Sequence, residues 1–174
     1  MTESDTLTLY KMIVLYALSR VPYPLTRSQI TDFFLEKDYT GYLTLQSVLA
    51  QLCEAGFTEQ KPVRNRTQLL LTEDGRNVLS MFDNELTAEI KADIDDYLKK
   101  HSHTLQMAAS VTSDYHRDPK RKDSYVAELA LSEQGHSLLS LTLSLPSEKL
   151  AEAVCKNWEQ RHEDIYADVM SKLL

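Results

Sequence analysis

The stretch FTEQKPVRNRTQLLLTEDG, residues 57–75, decides the fold together with the helical patterns on either side of it. Two short runs of strand-like composition, 57–60 and 67–71, flank the polar segment 61–66, which is too polar for a core and suits the tip of a hairpin. Thr72 then offers an N-cap for a helix whose first turn carries two acids, where the helix dipole favours them. We therefore predict a β-hairpin that leads directly into a helix.

Three amphipathic patterns precede this hairpin. Apolar residues recur at helical spacing from Leu9 to Ala17, and the pattern stops before Pro22. Thr26 is a natural N-cap for a short second helix, and a third helix over about 42–55 ends at Gly56. The predicted inward residues of these two helices are Ile30, Phe33, Phe34, Leu45, Val48, Leu49 and Leu52. Three helices followed by a hairpin is the order of a winged helix-turn-helix domain, which we assign to residues 1–85.

The apolar pattern changes in the second half, residues 86–174. A helix over 87–100 connects to three runs between about 104 and 145 in which every second residue is apolar, and these predict an antiparallel meander. The first run comprises Leu105, Met107, Ala109 and Val111. Ser147 caps a helix of about 25 residues that would cover the apolar face of the sheet. The predicted fold is α+β: a winged helix-turn-helix, then a three-stranded antiparallel meander covered by a long C-terminal helix.

Composition excludes several classes of protein. The chain has 174 residues, of which 43% are hydrophobic, so it should bury a real core. Its longest uninterrupted apolar stretch, 12–18, is too short to span a membrane, and no signal peptide opens the chain, so we expect a soluble cytoplasmic protein. Cys53 and Cys155 each lie in an apolar helical pattern, which favours buried thiols over a disulfide or a metal site.

No pattern of a catalytic or cofactor site is visible. The sequence has four glycines and lacks a Gly-rich phosphate loop, a nucleophile elbow and a Cys–His pairing. His101 and His103 are two residues apart, which on a strand would put both on one face, but further ligands at metal-binding spacing are not evident. We predict that the protein is not an enzyme and that it holds neither a metal nor a cofactor.

Duplex DNA is the predicted partner of the first half. In a helix-turn-helix the second helix of the pair enters the major groove, and the outward side chains of residues 42–55 suit contacts with base edges although this helix has no Lys or Arg. Positive charge comes from the start of the preceding helix and from the hairpin tip. The candidate DNA-binding residues are Arg27, Ser28, Thr44, Gln46, Ser47, Gln51, Lys61, Arg64, Asn65 and Arg66.

Particular segments resemble known families. The segment Leu70-Leu71-Thr72-Glu73-Asp74-Gly75-Arg76 resembles the end of the wing in bacterial winged-helix regulators, where Leu-Thr-x-x-Gly links the last strand to a helix. The wider chain is similar to the uncharacterised bacterial family catalogued as domain of unknown function 4364, in the segments 9–11, 24–30, 39–46, 157–158 and 165–166. That resemblance implies a winged-helix N-terminal domain and a role in regulating transcription.

A homodimer is the expected assembly. The C-terminal helix is longer than a three-stranded sheet is wide, so its last turns would overhang the sheet. We predict a dimer interface at Tyr166, Val169, Met170 and Leu173, with help from the helix over 87–100. Two alternatives stay open: a winged-helix protein-interaction module that does not bind DNA, which the net charge of −7 favours, and a small-molecule-sensing domain.

Overall fold

The structure, a computed structural model, describes residues 3–63 and 66–174 and has an α+β fold. Seven α-helices and two three-stranded antiparallel sheets are found in these residues. The chain divides into two compact units, up to Leu105 and from Gln106 onward. None of the helices in the described ranges is both long and apolar enough to cross a membrane.

The first unit contains four helices, a small sheet and a fifth helix that follows them. In chain order the elements are α1 (Glu3–Ser19), β1 (Leu25–Thr26), α2 (Arg27–Glu36), α3 (Tyr42–Glu54), β2 (Thr58–Val63), β3 (Arg66–Leu71), α4 (Glu73–Met81), a 3₁₀ turn (Asp83–Glu85) and α5 (Ala88–Lys100). The strand order is β1-β3-β2, because β1 pairs with β3 on the side opposite β2. The core joins α1, α2, α3 and β3 through Ile13, Phe34, Leu45 and Leu69, which are fully buried.

Local sequence signals place most helix ends correctly. Thr26 caps α2 in a reciprocal capping box with Gln29, and Thr72 and Ser147 cap the helices that follow them. Gly56, at φ +75°, follows the C-cap of α3 in the left-handed conformation that favours glycine. These predicted helix ends, and the predicted inward faces of α2 and α3, are confirmed.

The helix α5 packs in the first unit. Ile94, Tyr97 and Leu98 are buried in its core. Arg20 Nε lies 2.8 Å from Asp95 Oδ1, and Lys37 Nζ lies 3.1 Å from Asp93 Oδ1. The division between the units therefore lies after α5, whereas the boundary predicted from the sequence lies between residues 85 and 86. The apolar face of α5 is covered by the core of the first unit.

The contacts between Asp93 of α5 and the segment after α2 affect the pKa values of Asp93 and Tyr39. Hydrogen bonds from Lys37 and Tyr39 lower the pKa of Asp93. Burial, and then the negative charge of Asp93, raise the pKa of Tyr39 to about 12. The Tyr39 hydroxyl therefore stays protonated and donates to the Asp93 carboxylate.

The second unit is a meander under one long helix. Its strands are β4 (Val111–Arg117), β5 (Tyr125–Glu133) and β6 (His136–Leu145), in the order β4-β5-β6, and α7 spans Glu148–Leu173. Ala127 and Leu129 on β5 pack with Cys155 and Trp158 of α7 to form the buried centre. The α+β class is as predicted, and α7 packs on the meander as expected.

Two predicted strand positions are wrong. Leu105, Met107 and Ala109 belong to a helix, α6 (Ser102–Ser110), and the strand begins only at Val111. The alternation over 105–111 was misleading because Leu, Gln, Met and Ala are strong helix formers, and Leu105 N donates to His101 O at 3.0 Å. His101 and His103 consequently do not share a strand face. In the hairpin, β2 continues to Val63 and β3 begins at Arg66, so both strands extend into the segment 61–66 that was predicted as the tip. Val63 pairs with Arg66 across the two strands.

Candidate nucleic-acid interface

A strand pairing and a capping box hold the start of α2 in place. Thr26 pairs with Gln68 of β3, and the Thr26 hydroxyl accepts from Gln29 N at 3.1 Å while Gln29 Oε1 accepts from Thr26 N at 2.8 Å. This capping box leaves Arg27 and Ser28 as the first two residues of the helix, and Ser28 is exposed. Free amides at a helix N-terminus attract anions such as phosphate.

A hydrogen-bond network joins α2 to α3. Arg27 Nη2 donates to Gln46 Oε1 at 2.5 Å, and Gln46 Nε2 donates to Thr31 Oγ1 at 3.3 Å. The Thr31 hydroxyl donates in turn to Arg27 O at 2.7 Å. The Gln46 amide thus orients the Arg27 guanidinium, which keeps further N–H donors for a ligand. Sequence analysis expected Gln46 to contact a base, but in the free protein its amide is engaged by these two neighbours.

The outward face of α3 is polar, has no Lys or Arg, and carries the exposed acid Glu54 at its C-terminal end. Thr44 and Ser47 are exposed, and Gln51 is half-buried. Gln51 Nε2 donates to Ser47 Oγ at 3.1 Å, so these two candidate residues contact each other one helical turn apart. The inward residues of the same helix are almost fully buried, which fixes the orientation of this face.

Two exposed apolar side chains at the start of α3 were missed by the sequence analysis. Tyr42 is 57% exposed and Leu43 is 82% exposed. Both precede Leu45, where the inward stripe of α3 begins. Their position outside that stripe was the sequence signal that they would be exposed. An apolar side chain in the first turn of a helix that enters the major groove suits the methyl group of thymine.

The hairpin brings two cations to one face of its sheet. Lys61 of β2 is paired with Gln68 of β3. Arg66 lies two residues before Gln68 and is therefore the diagonal neighbour of Lys61 on the same face, with about 7–8 Å between the two Cα atoms. Both side chains are exposed, and neither forms an ion pair with a described residue. Glu59 shares this face farther from the tip. The candidate residues Arg64 and Asn65 lie outside the described residues.

This face continues to the N-terminus of α2. Thr26, Gln68 and Lys61 form one row across β1, β3 and β2, and alternation along the strands puts all three on one side of the sheet. Thr26 is followed by Arg27, whose side chain contacts α3. The structure therefore links the candidates on β2, β3, α2 and α3 in a continuous series.

The base of the hairpin is fixed by the Leu-Thr-x-x-Gly segment. The Thr72 hydroxyl donates to Gly56 O at 2.7 Å and accepts from Gly75 N at 3.1 Å, and Thr72 N donates to Phe57 O at 3.2 Å. A Cβ at Gly75 would overlap the Phe57 carbonyl oxygen. Glycine at this position lets α4 approach the start of β2 closely, and this contact anchors the hairpin.

The remaining candidate residues lie on α7. Tyr166 and Val169 are half-buried, whereas Met170 and Leu173 are exposed on its last turns. Across residues 3–63 and 66–174, no group of three or more His, Cys, Asp or Glu side chains is arranged to hold a metal ion. Cys155 is buried and Cys53 is half-buried, and no disulfide joins them in the part of the chain that the structure describes.

Comparison with known proteins gives a match to a family. A family model described as a domain of unknown function, DUF4364, matches residues 10–173. No curated protein and no solved structure matches the chain.

Proposed function

The chain belongs to the DUF4364 family, and we propose that it is a cytoplasmic winged-helix protein that binds duplex DNA as a homodimer to regulate transcription. In this proposal α3 is the recognition helix, the β2–β3 hairpin is the wing, and the protein has no catalytic activity. The second unit then serves dimerisation or sensing.

The element order supports the winged-helix part of the proposal. Three helices are followed by a hairpin, and the short β1 between α1 and α2 completes a sheet of order β1-β3-β2. The pair α2 and α3 is joined by five residues, 37–41, as in a helix-turn-helix. Leu45 and Leu49 anchor α3 in the core, and the opposite side of the helix is left for a ligand.

The single observation that carries the proposal is the continuous series of polar and basic groups from the wing to α3. Lys61 and Arg66 share one sheet face with Thr26, and Arg27 bridges from there to Gln46 of α3. A DNA duplex is long enough to meet a wing and a recognition helix together, and its phosphates are attracted to all three cations. The net charge of −7 is spread over the whole chain, so the exposed Lys61 and Arg66 and the half-buried Arg27 stand out against it.

Base contacts would come from the exposed side of α3. Thr44, Ser47 and Gln51 carry hydrogen-bonding groups that match base edges. Leu43 adds an apolar group suited to a thymine methyl. Gln46 acts through Arg27, which it holds against α3, so its role is positioning.

Homodimerisation is proposed because a two-fold dimer would present two recognition helices to two half-sites. Exposed Met170 and Leu173 at the end of α7 support a contact between copies there. The apolar face of α5 is buried within the first unit, so this proposal does not use that helix.

A mobility-shift titration with the DNA upstream of the protein's own gene tests the proposal. Wild type is expected to retard the fragment at low salt, and the double variant Lys61→Ala/Arg66→Ala is expected to bind much more weakly at every salt concentration. Arg76→Ala removes an exposed arginine from α4 of the same unit and serves as the matched control. Absence of retardation by wild type at low salt, or equal binding by the double variant, would contradict the proposal.

A protein-interaction module is the second candidate, favoured by the exposure of Tyr42 and Leu43. A protein partner would bury these two side chains and would not require the wing cations. The substitution Leu43→Ser would then abolish partner binding, whereas Lys61→Ala would not. The sensing alternative has less support, because α7 covers the apolar face of the meander.

A further inference from the structure

The outer strand of the second sheet has an unpaired edge. β6 (His136–Leu145) pairs with β5 in register from Tyr125↔Leu145 to Glu133↔His136. In the order β4-β5-β6, no strand among residues 3–63 and 66–174 pairs with the other edge of β6. Ten residues is long for an edge strand, and its outward N–H and C=O groups form a template for another strand.

Apart from a register shift near its start, where Leu131 pairs with Leu139 but Ser132 pairs with Ser137, β6 lacks the usual protections of an edge strand. Residues 139–145 alternate leucine with serine or threonine, and the longer segment 137–145 contains neither a charged residue nor a proline. The other outer strand, β4, is shorter at seven residues and carries Asp114 and Arg117. Charges and short length are among the devices by which sheet proteins prevent edge-to-edge pairing, so the two edges differ in what they allow.

Leucines along β6 are also incompletely covered. Leu139, Leu141 and Leu145 point to the side of the sheet that α7 packs on, yet they remain half-exposed, and Leu143 on the same side is 38% exposed. On the opposite side Leu138 is 41% exposed. Covering these side chains with a neighbouring strand would remove further apolar surface from water.

We propose that β6 pairs antiparallel with β6 of a second copy of this chain, about a two-fold axis at Leu141. In this register Leu139 lies opposite Leu143 of the other copy, and Ser140 lies opposite Thr142. The result is one six-stranded sheet with the two α7 helices on the same side, because the two-fold axis is perpendicular to the sheet.

Charge favours a second copy as the occupant. Each chain carries a net charge of −7, so two copies repel over most of their surfaces. The neutral segment 137–145 is a place where they meet with no like charges opposed. The segment 137–145 also has no acidic residue that would attract a basic partner. Pairing of β6 with β6 of a second copy places leucines opposite leucines and hydroxyl side chains opposite hydroxyl side chains. The inference rests on the proposed homodimer and places its interface at β6 instead of the end of α7, but it does not depend on DNA binding.

The test uses two double variants of the full chain that change the same two exposed residues. Ser140→Lys/Thr142→Lys puts lysine opposite lysine twice in the dimer, whereas Ser140→Lys/Thr142→Glu puts lysine opposite glutamate twice. Wild type is expected to sediment at twice the 19.9 kDa of one chain. The two-lysine variant is expected to self-associate about two- to thirtyfold more weakly, because like charges directly opposite each other destabilise a strand pair. The lysine–glutamate variant should remain dimeric, and circular dichroism should be the same for both.

Other outcomes would overturn the inference in distinguishable ways. A wild type that sediments as a single chain contradicts both β6 pairing and the proposed homodimer, while retardation of DNA by that monomer leaves the DNA-binding proposal standing. A dimer that survives in the two-lysine variant but dissociates in Leu173→Lys assigns the interface to the end of α7 instead. Dissociation of both double variants contradicts the register centred on Leu141.

Discussion

Removal of Arg66 from the wing should reduce the salt dependence of DNA binding by a calculable amount. Arg66 is exposed on β3, diagonal to Lys61, and it has no ion pair with a described residue, so its charge is available to a phosphate. Each neutralised phosphate of B-DNA contributes about −0.9 to the slope of log K against log salt concentration. A homodimer loses two contacts in Arg66→Ala, so the slope should become less steep by about 1.8.

The expected change is large enough to measure by fluorescence anisotropy with a labelled duplex. Between 50 and 200 mM salt, about a fourfold increase, a slope difference of 1.8 corresponds to about a twelvefold smaller loss of affinity in the variant than in wild type. This difference does not depend on how many other phosphates the protein contacts. Arg76→Ala, which removes an arginine of the same unit outside the candidate interface, should leave the slope unchanged. An unchanged slope in Arg66→Ala, or an equal change in Arg76→Ala, would refute the assignment of Arg66 to a phosphate.

Three further variants test the parts of the structure that hold this surface in place. Gly75→Ala should lower the free energy of unfolding, measured in urea, by about 1–3 kcal/mol, because the new Cβ would overlap Phe57 O and lie 2.8 Å from Leu71 Cδ1. Helix propensity alone predicts that the same substitution raises this free energy by about 1 kcal/mol. A stabilised variant would therefore disprove the close contact. Gln46→Ala should lower the free energy of unfolding by about 1 kcal/mol and weaken DNA binding through Arg27, and full retention of both would show that the network is dispensable. Asp93→Asn should be less stable than wild type at neutral pH. Because folding lowers the pKa of Asp93, this difference in the free energy of unfolding should persist down to about pH 4, where an ordinary aspartate titrates. It should disappear as the pH falls further, through the lowered pKa of the folded protein. A stability difference that grows below pH 4 would contradict that sign.

Local chemistry explains what the sequence could predict. Thr26, Thr72 and Ser147 were identifiable as caps because each hydroxyl accepts from an amide three residues ahead, which depends on neighbouring residues alone. The buried face of α3 followed in the same way from the spacing of Leu45, Val48 and Leu49. The failure at α6 has a local cause too, because a short run of Leu, Met and Ala fits both a strand and a helix.

The candidate site depended on contacts distant in sequence. The Arg27–Gln46 hydrogen bond joins residues 19 positions apart and could not be read from either helix alone. The shared face of Lys61 and Arg66 depends on the strand register, which the sequence analysis left within a hairpin tip. The exposure of Tyr42 and Leu43, by contrast, had a local signal, because both precede the inward stripe that begins at Leu45.

The central claim is that duplex DNA is bound by one surface formed by the start of α2, the outward side of α3 and the wing. The most direct measurement is the change in backbone amide NMR signals when a duplex from upstream of the gene is added to the protein. The largest changes are expected at Ser28, Thr44, Ser47, Lys61 and Arg66, with little change along α7. No change on adding DNA at low salt, or changes concentrated outside α2, α3 and the β2–β3 hairpin, would contradict it.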